Sequence, residues 1–187
     1  MDTAILAGII TLMIFIVIFA IFIYNQFVTL RQRVDNSWAQ IDVQLKRRHE
    51  LIPNLVEAVK AYAAHEQSTL ENVTRARTEA LSATQINQQA GAETMLTDAL
   101  QSLFAVAENY PALKADENFC KLQLELTNTE NQISFARQFY NDTAEKYNVK
   151  IEMFPYFILA RIFHFESVAY FNISASNAAR QAFDVDL

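Results

Sequence analysis

The sequence predicts an all-α protein: an N-terminal transmembrane helix, then an elongated antiparallel helical bundle of three long helices plus a short closing helix. Three observations carry this. Only 2 of the 187 residues are glycine and 3 are proline, where average usage would give roughly 13 glycines. Tight hairpins need residues that tolerate positive φ, so a many-stranded sheet is excluded. A charge-free apolar run opens the chain, and apolar residues at 3–4 spacing fill most of the remainder. Hydrophobic residues make up 52% and charged residues 19%, at net charge −6. That balance fits neither a disordered chain nor a basic nucleic-acid binder. The single cysteine, Cys120, excludes an intramolecular disulfide and a cysteine-based zinc cluster.

The apolar run is Ala4 to Tyr24. At 1.5 Å per residue it spans about 31 Å, close to the hydrocarbon thickness of a bilayer. A cleaved signal peptide needs a basic start and a small-residue exit. Here the start is Met1-Asp2-Thr3 and the exit is Phe22-Ile23-Tyr24. A buried core helix rarely stays apolar on every face for this length. Residues 1–24 are therefore expected to form a permanent anchor, bounded by Ala4 and Tyr24. Asp2 is the one charge before the run, while Arg31, Arg33, Lys46, Arg47 and Arg48 follow it. Basic residues favour the cytoplasmic side. The expected placement is single-pass in a bacterial inner membrane, N-terminus outside, with residues 25–173 as the cytoplasmic bundle and 174–187 as a tail.

Asn25 to Thr84 reads as one helix. Val34, Trp38, Ile41, Leu45, Ile52, Leu55, Val59 and Tyr62 form a heptad stripe of coiled-coil type that misses one step at Arg48. Proline removes one helical hydrogen bond, so Pro53 either kinks the helix near His49-Glu50 or begins a new one; the kink is preferred. No glycine separates this helix from the apolar run, so one continuous rod is expected. The polar stretch Thr84 to Glu93, holding Gly91, is the best loop candidate. A second helix, Thr94 to Asn109, carries Leu96, Leu100, Leu103, Ala107 and Tyr110 and stops before Pro111. Asp116 is placed to cap a third, with Glu117 at its positive end. Its stripe is Phe119, Leu122, Leu126, Thr129, Ile133, Ala136, Tyr140, Thr143 and Tyr147. Glu117–Lys121 and Asp142–Lys146 give i,i+4 support. The first helix, about 90 Å long, outreaches the third at about 46 Å. The excess stripe must be bent back, near the membrane, or buried against another copy. Self-association is expected on that ground.

Asn148 to Pro155 is a connection. The segment Met153 to Phe171 is dominated by apolar residues and dense in aromatics, among them Phe157, Phe163 and Phe165. Two readings stand for it: a short helix closing the bundle, or a surface against the bilayer interface or another subunit. Those three phenylalanines are candidate contacts. So are Arg48, which either lies on the surface or forms a buried or inter-subunit ion pair, and Glu130 as its partner.

No catalytic constellation is visible. His49-Glu50 and His65-Glu66 lack the second histidine that places two imidazoles on one zinc. No Glu-x-x-His pair for a di-iron centre exists, and two glycines cannot build a phosphate loop or a nucleophile elbow. Cys120 lies one place off its helix's stripe and reads as a buried small residue. The sequons at Asn72, Asn141 and Asn172 fall on expected cytoplasmic segments and carry no glycan there. No enzyme activity, cofactor or metal is expected. The basic cluster Lys46-Arg47-Arg48 is either a solvated face or a lipid contact, the latter only if the helix bends or lies down.

The stretch Leu30 to Val56 (LRQRVDNSWAQIDVQLKRRHELIPNLV) resembles the signature of the LemA family. Further matching pieces are Tyr62 to Glu66, Glu108 to Lys114, Glu117-Asn118-Phe119, Glu130-Asn131, Ala136-Arg137-Gln138 and Tyr140-Asn141, so the likeness runs from about Tyr24 to Phe171. Where the family usually has FPxN and FGF, this chain has Phe154-Pro155-Tyr156-Phe157 and Phe163-His164-Phe165. The resemblance implies a bacterial membrane protein with one N-terminal span and a cytoplasmic antiparallel bundle, without established catalytic residues. Family members are often encoded near membrane proteases. The functional expectation is a non-enzymatic scaffold that self-associates or organises protein at the membrane; the alternative is an adaptor for a membrane protease or sensor. Expected partners are membrane lipid, further copies of the chain and a membrane-protein client, with no nucleic acid.

Overall fold

The computed structural model describes residues 2–171. The expected tail 174–187 and the sequon at Asn172 lie outside that range. Six helices follow in order: α1 (Asp2–Tyr62), α2 (Gln67–Ser82), α3 (Ile86–Ala107), α4 (Pro111–Lys114), α5 (Glu117–Glu152) and α6 (Tyr156–Ile162), and no strand occurs among the described residues. The chain divides into two compact units. Among the described residues, one combines residues 2–39 with Phe139–Val168, the other Gln40–Gln138 with residues 169–171. Both α1 and α5 contribute to each.

α1 runs without interruption from the apolar run past Pro53, so the proline does not start a new helix. The helix stops at Tyr62, well short of the expected Thr84. Ala63 to Glu66 form a turn, with Glu66 N–H donating to the Ala63 carbonyl at 3.1 Å, and α2 begins one residue later. The turn contains neither glycine nor proline. The buried face of α2 (Leu70, Val73, Ala76, Ala80) continues the spacing of α1, so periodicity alone could not reveal the reversal. The unusual length attributed to the first helix is thereby corrected. Ile52, Leu55 and Val59 of α1 are buried with Leu70 and Val73 of α2, Leu96, Leu100 and Leu103 of α3, and Phe119 and Leu126 of α5. Four helices, not three, enclose this core, and the length argument for self-association loses its premise.

α3 starts at Ile86, so only Ala83–Gln85 connect it to α2. Gly91 lies within the helix without positive φ, and a Cβ there would meet open space. It is a tolerated helical residue instead of a turn former. The stripe consequently extends back through Glu93 and Ala90, both buried.

Asp116 caps α5: its Oδ1 accepts the Phe119 N–H at 2.9 Å, and its Oδ2 accepts the Tyr62 hydroxyl at 3.0 Å. The Phe119 bond, then the Tyr62 bond, holds its carboxyl below the usual carboxylate range. A carboxyl lowered in the folded state stabilises above its unfolded pKa, and the contribution fades as pH falls through the folded value. Asp116→Asn keeps the cap but not the charge. The wild type is therefore expected to exceed Asp116→Asn in denaturant midpoint at pH 7, and the gap to close below about pH 4. An unchanged gap at acidic pH would contradict this assignment.

α5 extends to Glu152, beyond the expected end near Tyr147. Phe119, Leu126, Ile133, Tyr140 and Tyr147 on its stripe are buried. Thr129 and Thr143 are buried too, because their hydroxyls donate to the Glu125 and Phe139 carbonyls of their own helix, each at 2.7 Å. Glu117 and Lys121 stand 2.6 Å apart in solvent, where such a pair contributes little. Cys120 is exposed rather than buried; its thiol points at the Lys114 carbonyl, 3.2 Å away.

In the other unit, α6 is a short helix whose Ala160 packs with Ile23 and Phe27 of α1. The segment after it is tied to α5 by Asn148. Its Nδ2 donates to the Val168 carbonyl and its Oδ1 accepts the Val168 N–H, both at 2.9 Å. α6 ends in a turn where His164 adopts φ 55° and Phe165 N–H reaches back to the Ala160 carbonyl at 2.9 Å. This is the left-handed helix terminus that glycine favours. Histidine occupies it here at a steric cost, so His164→Gly is expected to raise stability by about 1 kcal/mol. Equilibrium unfolding of the two proteins side by side measures that difference.

Candidate functional site

The most unusual feature of the described residues is an ionic network inside a helical core. The step missing from the α1 stripe is Arg48. It sits on the same face as Ile41, Leu45 and Ile52, so helical geometry carries its guanidinium inward, and it is only 3% exposed. Burying an unpaired guanidinium is costly, so partners must be supplied. Arg48 Nη1 lies 3.1 Å from Glu93 Oε2, and Nη2 lies 3.1 Å from Glu130 Oε2. Nη2 also donates to Thr97 Oγ1 at 2.8 Å. Glu93, wholly buried on α3, gives its second oxygen to His49 Nε2 at 2.7 Å. An ionised carboxylate only accepts, so His49 presents a protonated Nε2 to it.

Pro53 enters this network through the backbone. It has no N–H, so the His49 carbonyl four residues earlier is left without its helical partner. Arg77 of α2 supplies a replacement, its Nε donating to the His49 carbonyl at 2.8 Å. The proline in α1 and the arginine in α2 are therefore a matched pair. Arg77→Ala is expected to cost about 1–3 kcal/mol, the penalty for a partly buried carbonyl left unpaired. In a Pro53→Ala background, where the helix takes back that carbonyl, the cost of Arg77→Ala should shrink. A double-mutant cycle reads the difference, and additive single effects would refute the pairing.

Arg137 lies near the same charges. Burial lowers its guanidinium pKa, while Glu130 and Glu93 act against that shift. An arginine stays charged at neutral pH regardless. Its guanidinium carbon sits 4.8 Å from the centroid of the Phe171 ring. A cleft of ≈ 210 Å³, lined in part by Thr97, Phe104 and Leu126, opens beside Arg48 and Glu130.

The network is suited to holding helices in register more than to bond chemistry. The Thr97 hydroxyl accepts from Arg48 and donates to the Glu93 carbonyl at 2.9 Å. Both Glu93 oxygens and the inward-facing His49 nitrogen are occupied. Among the described residues no group of three or more His, Cys, Asp or Glu is placed to hold a metal ion.

The structure places Arg48 and Glu130 together but adds Glu93, His49, Thr97 and Arg77, which the sequence reading missed. The α3 stripe, read three residues back from Leu96, falls on Glu93. Its position inside an amide-rich run that looked like a loop concealed that signal. The three aromatic candidates are in the other unit. Phe165 stacks 5.0 Å from Phe27 and Phe163 lies 5.0 Å from Tyr24, while Phe157 faces Phe154 at 6.3 Å with its ring partly in solvent. The residues from Ile5 to Phe22 are exposed apart from the half-buried Ala20, in a helix long and apolar enough to cross a membrane.

Comparison with known proteins gives consistent results. The family model that matches, over residues 37–187, is that of the LemA family. The match begins later than Tyr24 and continues past Phe171. Two relatives in Paramagnetospirillum magneticum, magnetosome protein MamQ 2 and magnetosome protein MamQ 1, are each 29% identical over 174 residues, covering 79% of this chain and 64% of theirs. Magnetosome protein MamQ of Magnetospirillum gryphiswaldense is 28% identical over 175 residues, covering 80% of this chain and 64% of its own. The chain thus spans 64% of the length of these relatives.

Proposed function

The chain belongs to the LemA family, and from that membership we propose that it works by contact instead of by catalysis, as a membrane-anchored helical scaffold that organises protein at the bacterial inner membrane. The observation that carries this reading is the bare apolar surface of α1 between Ile5 and Phe22. A face so apolar and so long without protein cover is stable only in lipid. The basic residues that follow it favour an N-terminus outside and the rest of the chain in the cytoplasm. The committed side chains of the buried network favour a structural role over an acid–base one. The relatives' names tie them to the magnetosome and not to a reaction.

Scaffolding is tested by size-exclusion chromatography with light scattering on full-length protein extracted in mild detergent. Particles of several protomers are expected. A strictly monomeric particle would overturn the scaffold and favour an adaptor acting on another membrane protein, whose client an unbiased pull-down would then identify.

A further inference from the structure

α6 and the turn before it carry an apolar face that nothing in their own unit covers. Phe154 is 77% exposed and Ile162 is 60% exposed, and Phe157 and Ile158 stand out beside them. On α6, Ile158 and Ile162 follow at i+4 and share one side of the helix, and Phe154, in the turn before it, brings its ring to 6.3 Å from that of Phe157. The opposite side is committed: Ala160 packs on Ile23 and Phe27, with Tyr156, Leu159 and Phe165 around it. That packing fixes where α6 sits along α1. Ile23 and Phe27 flank Tyr24, the last residue of the charge-free run, within about one helical turn of it. A face attached there lies at the depth where hydrocarbon gives way to headgroups.

The surrounding charges match that depth. A cleft of ≈ 330 Å³ on the same stretch of α1 is lined by Asn25, Gln26, Thr29, Arg33 and Lys150, together with Phe22 and Leu30, and no carboxylate is among its lining residues. Lys150 also reaches α6, its ammonium 4.6 Å from the centroid of the Tyr156 ring. Arg161 is exposed on α6 itself. Exposed Glu152 and Glu166 flank the segment in sequence, outside the lining of the cleft. Large apolar and aromatic side chains pointing out, with Arg33, Lys150 and Arg161 near them and a lipid-crossing helix alongside, form the pattern of an interfacial membrane contact.

We propose that residues 153–163 form a foot that lies in the bilayer interface, inserting Phe154, Phe157, Ile158 and Ile162 among the acyl chains while Arg33, Lys150 and Arg161 face lipid phosphates. The occupant is the phospholipid leaflet from which α1 emerges. The foot adds a second, monotopic attachment to the single span, and thereby fixes how the span's unit tilts against the membrane. It rests on the anchor reading above.

The test uses full-length protein in nanodiscs containing lipids brominated either near the top of the acyl chains, to report on the foot, or near the chain ends, to report on the centre of the span. Wild type has one tryptophan, Trp38, about 20 Å of helix beyond Tyr24, and its emission should be unaffected by bromine. In a Trp38→Phe background, which keeps an aromatic edge against Tyr140, tryptophan is introduced as Phe15→Trp in the span or Phe154→Trp in the foot. Interfacial helices bury their apolar face about 5–10 Å deep, so Phe154→Trp should lose about half of its emission to bromine. Quenching at position 15 without quenching at 154 overturns the foot and leaves the anchor standing; quenching at neither overturns both. Emission at 154 that responds to the number of chains per disc and not to bromine also overturns the foot, in favour of a second copy. Should the Trp38→Phe background fail to fold, Phe154→Cys labelled with an environment-sensitive dye in a Cys120→Ser background gives the same reading.

Discussion

Glu93→Ala is expected to destabilise the helical core around it by about 3–5 kcal/mol, the typical cost of breaking a buried ion pair from one side. The reason is bookkeeping of partners. Glu93 is wholly buried and supplies an acceptor to both Arg48 and His49. Without it, the Arg48 guanidinium keeps only Glu130 and Thr97, and His49 loses the acceptor of its Nε2–H. Arg48→Leu should cost a similar amount, because it leaves a buried carboxylate facing only His49. Replacing Arg48, His49 and Glu93 together by apolar residues of like volume is expected to recover most of the loss, or to exceed wild type by about 1–4 kcal/mol. The triple variant separates two roles. If it is stable but forms particles of altered size, the network sets helix register. If it is stable with unaltered particles, the register role is wrong. Denaturant unfolding followed by helical circular dichroism, alongside light scattering, supplies both readings. Near-wild-type stability of Glu93→Ala would show that the network is not what holds these helices.

The second large effect concerns the anchor. Ile14→Arg with Val17→Arg puts two guanidinium groups near the centre of the apolar run, on one side of α1. Each costs about 2.5–3.5 kcal/mol of membrane insertion at a helix centre. Together they should shift the protein from the membrane fraction to the soluble or aggregated fraction after alkaline extraction. The folded core around Ile52, Leu55 and Leu103 has no contact to lose from this change, so retained helical signal in the released protein is expected. Protein that stays membrane-bound would mean that the span is not the main attachment.

Much of the architecture was legible because it depends on local rules. Charge-free length identified the run from Ala4 to Tyr24. The 3–4 spacing placed Phe119, Leu126, Ile133, Tyr140 and Tyr147 on one buried face of α5, and Asp116 announced its own cap. Arg48 stood out as the one gap in a stripe, and Glu130 as a candidate partner, because a charge on an apolar face demands an explanation. What stayed hidden involved reversals and partners. The turn at Ala63–Glu66 lacks glycine and proline and keeps the helical phase, so nothing in its spacing marked it. Glu93 was obscured because Gly91 and its neighbouring amides resemble a loop, although the backbone there is helical. Exposed Cys120 was misread because one position off a stripe decides burial only once the neighbouring helices are in place.

By itself, the amino-acid sequence determined that this protein is helical, which stretch is fit to enter a bilayer, and which face of each long helix turns inward. These follow from side-chain periodicity and from transfer free energies, both properties of short segments. Only the tertiary structure decided that α2 folds back along α1, that Arg77 replaces the hydrogen bond Pro53 removes, and that Glu93 lies between Arg48 and His49. Those outcomes depend on which segments, tens of residues apart, come within about 3 Å of one another, a distance that no local pattern encodes.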